Sequence, residues 1–291
     1  MSDQAQELRN LIKHQSAVQG ERPTRIITVT SGKGGVGKSN FTLNFALALQ
    51  QKGFKVLIFD ADIGLANIDV LMGVSSPYSL YHLLKREKTV WDIINTGPQG
   101  LQFIAGGSGF NDLIRLSEEQ LDYFAEQVGQ LNGHVDFILF DTGAGLSKET
   151  LKFILAAQET IVVTTPEPTS ITDAYAIIKM VHSMDYDVKF RLVVNRVLDW
   201  KEGRQTADKI SMVAKQFMNL DIPTIGYVMD DSSVSKAVRK QVPFSLAFPD
   251  SAAAKSLNEL TQDFLSNQMP AENQGASVKG FLNRMIRMLK P

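Results

Sequence analysis

The chain has no cysteine among its 291 residues. That absence excludes disulfides, thiolate zinc sites, iron–sulfur clusters and cysteine nucleophiles together. An excess of charge is missing too. The 30 Lys and Arg stand against 31 Asp and Glu, so no global field draws the whole molecule to nucleic acid or membrane, and any such attraction has to come from a local patch. No apolar run approaches the ~20 residues that span a bilayer. The opening stretch MSDQAQELRNLIKHQ is polar and carries acids, unlike a secretory signal or a transit peptide. Internal repeats and low-complexity tracts are also absent. What is present is a 44% hydrophobic content, enough for the core of one large α/β domain or two small ones. The expected protein is folded, and cytoplasmic unless something docks it elsewhere.

From Arg25 onward the chain alternates between two kinds of segment. RIITVTS, KVLIFDAD, LQFIAGG, FILFDTGAG, TIVVTTPEP, FRLVVNRV and IPTIGYVM are short, β-branched and almost continuously apolar, as strands buried on both faces are. NFTLNFALALQQKG, SEEQLDYFAEQVGQL, SITDAYAIIKMVHSM and RQTADKISMVAKQFMNL lie between them with helical spacing. The alternation predicts a doubly wound α/β domain over residues 25–267, a mainly parallel sheet with helices on both faces. Residues 1–24 read as a short amphipathic helix on a tether. Residues 268–277, QMPAENQGAS, read as a linker, and 278–291 as a separate closing segment.

The run SGKGGVGKSN carries the chemistry. Gly32, Gly37, Lys38 and Ser39 fit G-x-x-x-x-G-K-[ST], with a strand before and a helix after. Glycines let backbone N–H groups curl around phosphate oxygens, and the helix start adds its positive end. Lys38 reaches the terminal phosphates and Ser39 can ligate Mg2+. The nucleotide-contacting run is therefore Gly32, Lys33, Gly34, Gly35, Val36, Gly37, Lys38, Ser39 and Asn40. Such a site also needs carboxylates at the carboxyl ends of neighbouring strands. VLIFDAD supplies Asp60 and Asp62, and FILFD supplies Asp141 in the place of a Walker B residue. Any one of these aspartates could instead cap a helix or anchor a loop. Together they imply hydrolysis of a terminal phosphate anhydride.

SGKGGVGKS, DADIGLANID and DTGAG, in that order, resemble the MinD/ParA class of deviant Walker A ATPases over about residues 24–291. The resemblance implies ATP with Mg2+, a P-loop NTPase fold, and a homodimer closed around nucleotide. In that class the second lysine, here Lys33, reaches the phosphates bound by the partner subunit, and the residue matching Asp62 orients the attacking water. Ser39, Asp60 and Asp141 match metal-side positions, and Asn67 matches a switch position. Asn195 and Arg196 of VVNR match the place of adenine recognition, with Asp230 a further candidate. Gly143 departs from the pattern, since many relatives have proline there. Iron–sulfur carriers of the class need cysteine, and its tyrosine kinases a tyrosine-rich tail, whereas no tyrosine follows Tyr227. DNA, the partner of the ParA branch, is not expected for a near-neutral chain.

Both ends point to partners. Val278, Phe281, Leu282, Met285, Ile286 and Leu289 fall on one helical face, with Lys279, Arg284, Arg287 and Lys290 elsewhere and no acid. That describes an interfacial helix for anionic lipid, or else a helix packed on its own domain. KGFLNRMI also resembles the membrane-targeting tail of MinD. At the other end DQAQELRNLI resembles the activator motif of the FlhG family of MinD-like proteins, also called FleN or YlxH, with Asp3, Gln4, Ala5, Leu8 and Arg9 as the matching residues. AGGSG at 105–109 and TPEPTSITDAYA at 165–176 are similar to the same family. This resemblance implies control of flagellar number and placement by an ATPase attached peripherally to the inner face of the membrane. It also implies stimulation of the FlhF GTPase, with the C-ring switch proteins FliM, FliN and FliY as further partners. A cell-division role of the MinD kind and DNA partitioning of the ParA kind are the alternatives.

Overall fold

The computed structural model describes residues 24–62, 67–106, 117–157, 159–184, 186–267 and 278–289. In chain order its elements are β1 (Arg25–Ser31), α1 (Lys38–Gln51), β2 (Val56–Ala61), α2 (Ile68–Met72), α3 (Leu80–Leu84), β3 (Ile94–Thr96), β4 (Gln102–Ile104), α4 (Glu118–Gly129), β5 (Phe137–Ala144), α5 (Lys148–Ala156) and β6 (Glu159–Thr164). They continue with α6 (Pro168–Ser183), β7 (Lys189–Val197), α7 (Trp200–Met218), β8 (Thr224–Met229), α8 (Ser232–Lys240), α9 (Phe244–Ala247), α10 (Ala252–Ser266) and α11 (Val278–Leu289). The sheet runs β3-β4-β2-β5-β1-β6-β7-β8. All pairings are parallel except β3 with β4. This three-residue edge strand is too short to have left a pattern in the sequence.

Successive strand residues feed opposite cores, which is why the strands read as unbroken apolar runs. Leu139 faces a core built with α1 and α10. Its neighbours Ile138 and Phe140 face a second core with α3, α4, α5 and α11, while α6 and α7 cover Val162, Leu192 and Val194. Helix starts follow side-chain caps: Ser117, Ser147, Asp199, Asp231 and Ser251 each accept a backbone N–H of the helix they open.

The closing segment does not stand apart from the domain. Val278, Phe281, Leu282, Met285 and Ile286, the expected lipid-facing stripe, are buried in the second core. Phe281 stacks on Phe140 with ring centroids 4.7 Å apart. Arg284 donates from Nε to the Ala156 carbonyl at 2.8 Å, so one basic group of the helix faces its own domain. Lys279 and Arg287 are exposed. The Leu289 side chain, the linker and the N-terminal motif with Asp3, Gln4, Ala5, Leu8 and Arg9 lie outside the described residues.

Candidate functional site

The chain leaves β1 through a loop that only glycine can make. A Cβ on Gly32 would lie 2.2 Å from the Asp173 carbonyl carbon, inside the backbone of α6, and Gly37 sits at φ 92°. Gly37 also opens α1 without any side-chain cap, and the first turn of α1 holds no acid. Its leading N–H groups are thus free to meet an anion. Asn195, at the end of β7, braces the loop by donating from Nδ2 to the Val36 carbonyl at 2.7 Å.

Lys38 is buried and donates to Asp141 Oδ1 at 2.9 Å and to Ser39 Oγ at 3.2 Å. Thr42, one helical turn on, donates to the same Asp141 oxygen at 2.8 Å. The other oxygen, Oδ2, is buried with no partner. Asp60 faces Asp141 across the β2–β5 ladder. Burial, and then the charge of Asp141, push its carboxyl up to about 7. Both Asp60 oxygens are engaged: Oδ1 accepts the Asp62 N–H, and Oδ2 accepts those of Asn67 and Ile68 at 2.9 and 3.2 Å. This aspartate, expected on the metal side, ties the backbone of Asp62, Asn67 and Ile68 to the end of β2.

A cleft of about 670 Å3 opens above these groups, lined by Gly34, Gly35, Gly37, Lys38, Ser39, Asn40, Asp62, Asn67 and Arg196 among others. Asp62 is half-buried there, and desolvation raises its carboxyl above the usual range, against the pull of Lys38. A Cβ on Gly143 would stand 3.3 Å from Asp62 Oδ1, so glycine leaves this carboxylate its place. Arg196 adopts φ 57° where β7 shifts register against β8, a backbone position that non-glycine residues seldom take. Asp230 does not line the cleft. Its N–H donates to the Val197 carbonyl. Lys33 also turns away, toward Glu167 and Thr169.

A family model described as ParA, NUBPL iron-transfer P-loop NTPase, matches residues 22–265. The antiactivator FleN of Pseudomonas aeruginosa is 35% identical over 91% of this chain and 94% of its own. The flagellum site-determining protein YlxH of Helicobacter pylori is 38% identical over 99% of this chain and 100% of its own. The chain belongs to the ParA/MinD family of P-loop ATPases, in its FleN/YlxH branch. The solved structure of MinD from Pyrococcus horikoshii complexed with Mg-ADP shares its fold at a TM-score of 0.68 and 26% identity, over 84% of this chain and 98% of that one. As a ParA/MinD ATPase the protein hydrolyses ATP to ADP and phosphate with Mg2+. The iron-transfer part of the model's description finds no thiolate here, since cysteine is absent.

The residues suit the ion. The buried, partnerless Oδ2 of Asp141 and the Ser39 hydroxyl, on two residues that Lys38 Nζ reaches through Asp141 Oδ1 and Ser39 Oγ, make an all-oxygen donor pair, the kind a small hard cation takes beside phosphate oxygens. Sequence reasoning missed Thr42, although it follows Lys38 at the helical i+4 spacing. It also missed Ser147, Glu149 and Thr150 at the start of α5, which line the cleft. There the S-x-x-T cap was the available signal, with Ser147 Oγ accepting the Thr150 N–H at 3.1 Å.

Proposed function

We propose that this ATPase is a nucleotide-gated dimer that sets flagellar number and placement, attached to the membrane while it holds ATP. The observation that carries the flagellar part is the match to YlxH over 99% of this chain.

In this reading Lys38 leaves Asp141 for the phosphates of its own nucleotide, while Lys33 serves the phosphates of the partner subunit. Asp141 and Ser39 would hold Mg2+, which offsets phosphate charge when bound. Asp60 holds the backbone of Asp62 in place through its Oδ1. The Asp62 carboxylate accepts a hydrogen bond from the attacking water and aims it at the terminal phosphorus. The bond from that phosphorus to the bridging oxygen breaks, and ADP and phosphate leave. Asn195 and Arg196 border the base, with Asp230 behind them.

The docked α11 is the resting state. Pairing frees it to lay Val278, Phe281, Leu282, Met285, Ile286 and Leu289 into an anionic membrane surface, and two helices on one dimer bind far better than one. No described helix is long and apolar enough to cross a membrane. The N-terminal segment stimulates the FlhF GTPase, and the C-ring proteins FliM, FliN and FliY are further partners.

The test is GTP turnover by FlhF with a peptide of residues 1–24. Several-fold stimulation is expected, lost when Leu8 and Arg9 are replaced by alanine. Unchanged turnover would move the protein to the cell-division role.

A further inference from the structure

Thr42 puts a hydroxyl where the surroundings favour hydrocarbon. It lies on α1 between Phe41 and Leu43 and is buried like both of them. Valine would fill the same space without the cost of burying a polar group. Its Oγ1 stands 2.8 Å from Asp141 Oδ1 and 3.0 Å from the Lys38 carbonyl. A hydroxyl has one proton to give. The Lys38 carbonyl is already served by the helix, whose repeat brings it the N–H of residue 42, so the carboxylate is the acceptor that needs the hydroxyl.

Asp141 is as closed off as Thr42. Lys38 and Thr42 both donate to its Oδ1, at 2.9 and 2.8 Å, while its Oδ2 has no partner. The two donors differ in what they do next. Lys38 has a long side chain that also lines the nucleotide cleft, and in the proposed reaction it leaves for the phosphates. Thr42 is short and moves only with its helix. Once Lys38 has gone, it is the donor left on Oδ1 among the described residues.

We propose that Thr42 pins the Asp141 carboxylate through Oδ1, and so keeps Oδ2 available to a cation after Lys38 departs. The inference rests on the reading that Asp141 and Ser39 hold Mg2+. Thr42 is a positioning residue, because it acts through Asp141. Without its hydroxyl nothing distinguishes the two carboxylate oxygens once Lys38 has left, and the group turns freely. Losing a partner that orients a ligating side chain typically costs about 10- to 100-fold in metal affinity.

The experiment measures how far Mg2+ tightens nucleotide binding by the full chain. The readout is the ratio of dissociation constants for fluorescently labelled ATPγS in EDTA and in excess MgCl2. Wild type is compared with Thr42→Val, Thr42→Ser, Asp141→Asn and Thr42→Val/Asp141→Asn. Thr42→Val is expected to bind like wild type in EDTA and to lose about 10-fold or more of the Mg2+ gain. Thr42→Ser, which keeps the hydroxyl, retains the gain. Asp141→Asn loses it, and adding Thr42→Val then changes nothing further.

A wild-type gain in Thr42→Val, while Asp141→Asn has lost it, overturns the pin and leaves Asp141 as the cation's ligand. Equal weakening of Thr42→Val in EDTA and in MgCl2 makes Thr42 a packing residue and overturns the pin as well. A gain that survives Asp141→Asn overturns both readings. Thr42→Ala, which removes the hydroxyl and adds no atom, carries the test should Thr42→Val fail to fold.

Discussion

Lys38→Gln is expected to weaken Mg-ATP binding by about 10- to 150-fold. A charge-assisted hydrogen bond from lysine to phosphate contributes about 1.5–3 kcal/mol. The same substitution has a second, nucleotide-independent effect. Lys38 is the cation against Asp141, a carboxylate with no exposure at all, and removing one partner of a buried pair costs about 3–5 kcal/mol. Glutamine can still donate to Asp141, so Lys38→Gln should lower the thermal midpoint of the nucleotide-free protein less than Lys38→Met does. Titration with a fluorescent ATP analogue and differential scanning calorimetry read the two effects separately. An affinity within threefold of wild type would contradict the role given to Lys38.

Deleting residues 278–291 is expected to abolish sedimentation with anionic vesicles in Mg-ATP and to leave ATP binding intact. It should also do what loss of a mere appendage would not. Phe281 covers Phe140 and Phe153, so the truncated protein should bind a hydrophobic dye and melt a few degrees lower. The reason for so small a shift is a near balance. Five buried apolar side chains contribute roughly 2 kcal/mol each, about 10 kcal/mol in all. Fixing the backbone of a 12-residue helix costs about 1 kcal/mol per residue, about 12 kcal/mol. With the two figures so nearly equal, a membrane or a partner can displace the docked helix. Co-sedimentation that survives truncation would place membrane contact elsewhere.

The architecture was legible because strands buried on both faces have no other pattern, and the phosphate loop because its glycines answer to backbone collisions that sequence spacing records. Asp141 followed from the same logic, at the end of an apolar strand. The hydrogen-bond partners of Asp60 were not legible: a carboxylate at a strand end looks the same in sequence whatever it meets, and the amides it accepts come from where the chain returns at Asn67 and Ile68. Nor could spacing show that Asn195 spends its amide on the Val36 carbonyl, or that Glu167 and Thr169 receive Lys33, since these partners meet only through tertiary structure. The closing helix was read for its apolar stripe, which a lipid surface and a protein groove require alike. Its burial between α4 and α5 shows the groove, and the basic residues Lys279 and Arg287 remain outside.

The central claim is that ATP-dependent pairing hands that helix from the groove to the membrane. The most direct test is vesicle flotation of Asp62→Ala, which should bind ATP, pair and fail to hydrolyse it. The protein should float with anionic vesicles in Mg-ATP, running as a dimer in size-exclusion chromatography, and stay unbound as a monomer in Mg-ADP. Flotation to the same extent with either nucleotide, or a monomer in both, would contradict the account.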